Sequence, residues 1–411
     1  MSPGDDWSRA MPPRDPVGFD RSLGPLSGTR VLDLTSYLAG PYGCALLGDL
    51  GADVIKIEPP GGEMMRNYPT TLKGHSRACI GANKNKRSIV VNLKHAEGRA
   101  LLYRLVVDAD VLVENFRPSV PPRLGIGYEI LKQKNARLIY CALTGYGDRG
   151  PLCDAAGFDQ VLQSWSGIAT FQGADEGRPQ IVRGSIVDYY ASALLAMSVI
   201  AALYERERSG KGQYVGVSLL RTALVMQAGR FVWARGEPRE VDRDLQPGRL
   251  AGIHPTGDGF IYLSAHSGHF WQALCEALEL PELAADPRYD NMHKRAERAD
   301  ELLPMIHAAL RRRSAAEWAT IMQGRVPVAA VRPMEDLFDD PQALAEGMVA
   351  VVPHPTLGEY RAVAKPATFS RTPGPATRHA PALGEHTDEI LDELGLSLAE
   401  ASRLRQIGAV A

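Results

Sequence analysis

Apolar residues first gather at Val31, Leu32 and Leu34, break at 38–41, and return as Val54, Ile55 and Ile57, with helix-like spacing up to Leu50 between them. Residues 31–58 therefore predict a strand, a loop, a helix and a second strand. Further along, 88–92 reads as a strand and 94–108 as a helix with Leu101, Leu102 and Leu105 on one face. A strand at 111–114, a helical turn at 129–134 and a strand at 138–143 follow. From 157 the pattern turns helical, at 159–170 and 188–208, before a short strand at 213–217. A stretch rich in Pro, Gly and charge then precedes a strand at 257–263 and helices at 269–278, 294–312 and 315–323. Beyond 341 come two short strands, 349–352 and 360–364, a Pro-rich connector over 366–381 and two terminal helices.

Strands alternating with helices over the first ~150 residues are the pattern of a parallel sheet covered on both faces. The expected fold is α/β: a large Rossmann-like domain at 24–235, a linker at 236–256, a smaller α+β domain at 257–340, and a return segment at 341–411 whose helices pack on the large domain. Residues 1–23 carry Asp5, Asp6, Pro12, Pro13 and Pro16 without an apolar core and read as a flexible tail rather than a signal peptide. The loop after the first strand falls at the carboxyl end of the sheet, where open α/β folds bind nucleotide-like ligands. Only Gly40 and Gly43 stand near that turn, which is not the Gly-x-Gly-x-x-Gly of a dinucleotide site. The Gly40-Pro41 pair is open to two readings, turn chemistry or a ligand cradle.

With 411 residues, 45% of them hydrophobic, the chain can build about two cored domains. A net charge of -2 gives no general attraction to nucleic acid or an anionic membrane, so neither is expected as a partner. The apolar run 191–203 is shorter than the ~20 residues of a bilayer span and reads as a buried helix. Five scattered cysteines, without a Cys-x-x-Cys pair, suit reduced thiols and a cytoplasmic location. His266 and His269 lack a third ligand, so no metal is expected. Neither a Gly-x-Ser-x-Gly elbow nor a Walker loop is present.

Two carboxylates stand out. Asp188 precedes the apolar run and would start a helix; there it serves either as a cap or as a nucleophile towards an activated acyl group, with N–H groups steadying the oxyanion. Asp159, also at a predicted helix start, has the same two readings, capping or acid/base work. Lys84, Lys86 and Arg87, with Lys94 and Arg99 behind them, would form either a solvated edge or a phosphate contact.

The order and spacing of several segments resemble the class III coenzyme A transferases, the family that includes formyl-CoA transferase, the carnitine CoA-transferases and alpha-methylacyl-CoA racemase. They are residues 24–28 leading into 31–34, 38–41, 48–58, 85–88, the Val113-Glu114-Asn115-Phe116-Arg117-Pro118 segment, the 144–147 turn, and 383–388. The resemblance spans about 24–396. It implies an interlocked homodimer, acyl-CoA and a carboxylic acid as substrates, and no permanently bound cofactor. Asp188 matches the family's catalytic aspartate, which forms an aspartyl anhydride and then an aspartyl-CoA thioester. CoA contacts carry over to Lys94, Asn115, Phe116, Arg123 and Leu124, and the loop at Leu38 and Ala39 belongs to the same site. Arg66, Arg183 and Arg249 are candidates for holding the distal carboxylate of a dicarboxylate.

Departures narrow the expectation. Phe158 stands where the racemases carry a proton-transferring His, which argues against racemisation. Leu38 replaces the Gln of formyl-CoA transferase, and 246–254 lacks its glycine run, which argues against oxalate or formate. Pro59 replaces a basic residue that some members place against the nucleotide. The rival readings are a 2-methylacyl-CoA racemase or epimerase, a non-catalytic CoA-binding protein, and an NAD dehydrogenase.

Overall fold

The computed structural model describes residues 24–69, 72–172, 177–238 and 250–411; the expected N-terminal tail, Arg249 and most of the expected linker lie outside the described residues. The chain divides into two units, one running up to Ala228 and resuming over Pro341–Ala411, the other Gly229–Asp340.

The first unit is built on six strands: β1 (Arg30–Asp33), β2 (Asp53–Glu58), β3 (Lys86–Val90), β4 (Val111–Glu114), β5 (Ile139–Thr144) and β6 (Tyr214–Ser218). All pair in parallel in the order β3-β2-β1-β4-β5-β6. Because side chains alternate across a strand, each short apolar run feeds both faces. Val31, Val54, Val111, Ile139 and Cys141 join a core with the helices Ala39–Asp49 and Ile186–Ser209. Leu32, Ile55, Ile89, Leu112 and Tyr140 join a second core with the helix Ala96–Val107 and the terminal helices Thr387–Glu393 and Leu398–Gln406. The strand order reverses between β1 and β4, so the loops leaving those two strands diverge and open a crevice, the ligand position of open α/β sheets.

Within the basic cluster beside β3, Lys84, Lys86 and Arg87 are all buried and form neither a solvated edge nor a phosphate contact, whereas Lys94 is exposed. The Lys86 ammonium donates to Asp33 Oδ2, Asn83 Oδ1 and the Pro41 carbonyl, each at 2.7 Å. Lys84 pairs with Asp49 at 2.9 Å, and Arg87 meets Asp53, Glu389 and Glu393 at 2.6–2.7 Å. Apart from Asn83, their partners come from β1, the helix Ala39–Asp49, β2 and the helix Thr387–Glu393, far away in sequence, so charge composition alone gave no sign of them.

Two predicted helices are each divided in two. Residues 159–170 form Asp159–Trp165 and Ile168–Gln172, parted at Gly167, whose φ of +90° a helix cannot hold. Residues 294–312 form Met292–Glu297 and Ala299–Leu310, with Arg298 leaving helical geometry between them. The run 191–203 belongs to a longer helix, Ile186–Ser209, which by length and composition alone is able to cross a membrane. Val187, Ala191, Leu195, Val199 and Ala202 recur at helical spacing and bury one face against the sheet. That packing gives the helix its place in the first core.

The second unit contains β7 (Gly252–Pro255), β8 (Phe260–Leu263) and β9 (Val328–Ala330), an antiparallel sheet with Trp271, Leu302 and Trp318 in its core. The expected linker thus ends in a strand: β7 pairs with β8 across a turn that holds Gly257 and Gly259. The hairpin β10 (Val349–His354) and β11 (Gly358–Val363) belongs to the first unit.

Candidate active site

The loop from Leu34 to Leu38 hangs from β1 by bonds that leave it little freedom. Asp33 accepts from the Thr35 N–H at 2.9 Å, and the Thr35 carbonyl accepts from Lys56 Nζ at 2.9 Å. Asn115, just past β4, spans Ser36 in both directions, accepting its N–H at 2.9 Å and donating to its carbonyl at 2.8 Å. Tyr37, held at φ 66°, donates its N–H to Glu63 at 3.2 Å. Burial alone would raise the Asp33 pKa, but the ammonium groups of Lys56 and Lys86 outweigh it and hold the carboxyl at about 2.

The helix Ala39–Asp49 starts immediately after this loop. Its Leu38 cap offers no side-chain bond, and the N–H groups of Ala39 and Gly40 have no partner among the described residues. Gly40 is required there, because a Cβ would lie 2.5 Å from Thr35 Cβ.

This helix start, the loops after β1, β4 and β5, and residues 153–158 enclose a cavity of about 270 Å³. Asp188 lines it. The Asp188 helix begins at Ile186, two residues earlier than predicted, because Ser185 takes the left-handed conformation with φ 58° and the cap comes from elsewhere. That cap is Asp159, 2% exposed, whose Oδ2 accepts the N–H of Val187 at 2.6 Å and of Asp188 at 3.0 Å. The Asp188 carboxylate accepts no hydrogen bond among the described residues. Burial, and next the charge of Asp159, push its pKa up to about 7.

Of the residues singled out in the sequence, Leu38, Ala39, Asn115, Phe116 and Asp188 meet at this cavity. Asp159 stands behind it with both oxygens occupied, since Oδ1 accepts from Gln163 at 2.5 Å. It holds the Asp188 helix in place. Asn115 has both ends of its amide committed to Ser36, so it shapes the wall. Lys94 and Arg123 are exposed and do not line the cavity, and Leu124 packs on the second core. Arg66 forms a two-pronged bond to Glu58, both contacts at 2.7 Å, while Arg183 is exposed outside the cavity. Among the described residues lining it, Arg117 is the one cation, and no ion pair holds its guanidinium. Phe158 lines the wall and meets Tyr37 edge-on at 5.4 Å.

Two residues of the site, Gln163 and Ser192, escaped the sequence reading, and Glu114 entered it only as part of the resemblant segment, with no role. Gln163 is fully buried and holds Val182 in both directions at 2.9 Å, tying the approach to the Asp188 helix. Ser192 joins the two helices of the site. Glu114, at the end of β4, accepts the Phe116 N–H at 2.7 Å, and burial raises its pKa to about 7. An acid ending an apolar strand was the available signal for Glu114; a lone Gln or Ser within a helix gives none.

The model of CoA-transferase family III matches residues 26–387. The chain is 35% identical over 403 residues to the succinyl-CoA:mesaconate CoA-transferase of Haloarcula marismortui, covering 91% of this chain and 97% of that one. It is 37% identical over 340 residues to the acetyl-CoA:oxalate CoA-transferase of Acetobacter aceti, covering 79% and 85%. The crystal structure of a CAIB/BAIF family protein from Brucella suis matches it with a TM-score of 0.80 at 29% identity, over 91% of this chain and all of that one. A crevice at the strand-order reversal, a half-buried carboxylate facing it and a family match across most of the sequence agree, and the chain belongs to CoA-transferase family III as a transferase enzyme.

Proposed function

We propose that the enzyme transfers CoA from an acyl-CoA donor to a carboxylic acid acceptor with Asp188 as the nucleophile. The observation that carries this reading is the Asp188 carboxylate itself: it lines the cavity, accepts no hydrogen bond among the described residues, and is raised to a pKa of about 7, so a substantial share of it is ionised at neutral pH while it stays poorly solvated.

Attack by Asp188 on the thioester carbonyl forms the aspartyl acyl anhydride and expels CoA thiolate. The thiolate attacks the aspartyl carbonyl, releases the donor acid and leaves an aspartyl-CoA thioester. An acceptor carboxylate displaces the thiolate to form a second anhydride, and the thiolate then takes the acceptor acyl group and restores Asp188. Each addition places negative charge on a carbonyl oxygen, for which the N–H groups of Ala39 and Gly40, without partners among the described residues, are suitable donors. A cavity of about 270 Å³ suits a thioester and a short acyl chain, with the rest of CoA running outward.

Arg117 supports an acceptor with a second carboxylate. Both relatives named above are named for dicarboxylates, mesaconate and oxalate. The loss of the Gln and the glycine run still favours acceptors longer than oxalate. Phe158 has no titratable proton to offer an alpha carbon, so deuterium wash-in without an acceptor is expected to be absent. Operation as a homodimer in a reduced, cytoplasmic setting is part of the same proposal.

The test is Asp188→Ala, assayed for CoA transfer with far-UV circular dichroism as a fold control. Loss of transfer in a folded protein supports the reading, and transfer near the wild-type rate overturns it.

A further inference from the structure

The geometry points to Ser192 as a positioning residue that fixes where Asp188 stands relative to the start of the helix Ala39–Asp49. This rests on Asp188 being the nucleophile. Ser192 lies one turn after Asp188 and is 0% exposed. Its hydroxyl reaches two carbonyls, that of Asp188 at 2.9 Å and that of Ala39 at 2.8 Å. The first is an ordinary back-bond within a helix. The second crosses 153 residues of sequence and ends on Ala39, which lines the cavity and whose N–H has no partner among the described residues. One hydroxyl therefore sits between the backbone of the nucleophile and the backbone of the helix turn that is to receive the oxyanion.

The surrounding packing makes that link decisive. Gly43, one turn into the Ala39–Asp49 helix, leaves little room for a side chain: a Cβ there would lie 3.0 Å from Leu195 and 3.2 Å from the Ser192 carbonyl. The two helices are pressed together at Gly43, a contact that limits how closely they approach but not how they slide. Apolar contact is non-directional, whereas the hydroxyl bond fixes the sliding coordinate. Both carbonyls are helical and keep their intrahelical partners, so replacing the hydroxyl by hydrogen strands no acceptor. The missing bond is felt mainly in alignment. Displacement of a reacting group by about 1 Å lowers rate by about a hundredfold. A partial displacement, held in check by Leu195 and Gly43, is expected to cost about tenfold in kcat.

The experiment compares Ser192→Ala, Ser192→Thr and Asp188→Ala for kcat, for KM of the acyl-CoA donor, and for melting temperature. Ser192→Ala should lose about tenfold in kcat with KM changed less than twofold and the melting temperature retained. Ser192→Thr keeps the hydroxyl but adds a buried methyl, so it should melt lower yet keep more kcat than the Ala variant. That ranking by hydroxyl rather than by stability is what a purely structural role does not produce. If Ser192→Ala keeps kcat within twofold of wild type, or if the Thr variant is the slower of the two, the positioning role is overturned. Full activity of Asp188→Ala would instead sink the nucleophile assignment, so the two failures are distinguishable.

Discussion

Asp159→Asn removes the charge behind the nucleophile while leaving an amide of the same shape at the helix start. In the wild-type protein the Asp188 carboxyl is raised from an ordinary 3.8 to about 7, first by burial and second by the charge of Asp159. The second cause is the smaller, so it accounts for less than half of the rise. The amide oxygen can still accept one of the Val187 and Asp188 N–H groups, and the weakened cap should cost about 1 kcal/mol of stability. Only the carboxylate attacks a thioester, so wild-type kcat/KM should climb with pH through a midpoint near 7. The variant should show the same limb with its midpoint at lower pH. Initial rates of CoA transfer from pH 5 to 9, with circular dichroism at each pH, provide the measurement. A folded variant whose midpoint stays in place or moves upward would refute the electrostatic coupling between the two acids.

Four further outcomes follow from the geometry. Lys86→Met leaves Asp33 buried beside Lys56 alone and should destabilise the fold by about 3–5 kcal/mol in urea unfolding; a loss below 1 kcal/mol would contradict the buried network. Glu114 has its pKa raised in the fold from 4.5 to about 7, so the native state holds that proton more tightly and stability drains away as pH rises through this window. Glu114→Gln should therefore flatten the wild-type decline between pH 5 and pH 8, read by denaturant titration at both ends, and an unchanged slope would count against it. Gly40→Ala forces a Cβ to 2.5 Å from Thr35 and should cost about 1–3 kcal/mol in thermal unfolding, with a neutral result arguing against the tight loop. Arg117→Gln should raise KM for dicarboxylate acceptors about tenfold and leave monocarboxylates unaffected; equal effects on both would place Arg117 elsewhere in the cycle.

The parallel sheet was legible because each strand is a short apolar run bounded by turn residues, and β4 matches its predicted span to the residue. Short elements were not: β7 and β9 hold only four and three residues and take their stability from β8, so local pattern gives them little signal. Asp188 stood out by its place before an apolar run and the 38–39 loop by its place after the first strand, the resemblance added residues 115–116, and the structure gathers them at one crevice. What remained hidden is the long-range polar bonding. A sequence does not reveal that Lys86 reaches Asp33, that Asp159 caps a helix 29 residues away, or that Ser192 touches Ala39. Each joins residues far apart in sequence that the fold brings together, and each converts an ordinary surface-type residue into part of a buried site.

The central claim is that the acyl group rests covalently on one side chain. Hydroxylamine added during turnover, followed by peptide mass spectrometry, captures any activated carboxyl as a hydroxamate. The account predicts modification at Asp188 that requires acyl-CoA and is absent without it. Turnover with no label at Asp188, or with label on a different carboxylate, would contradict it.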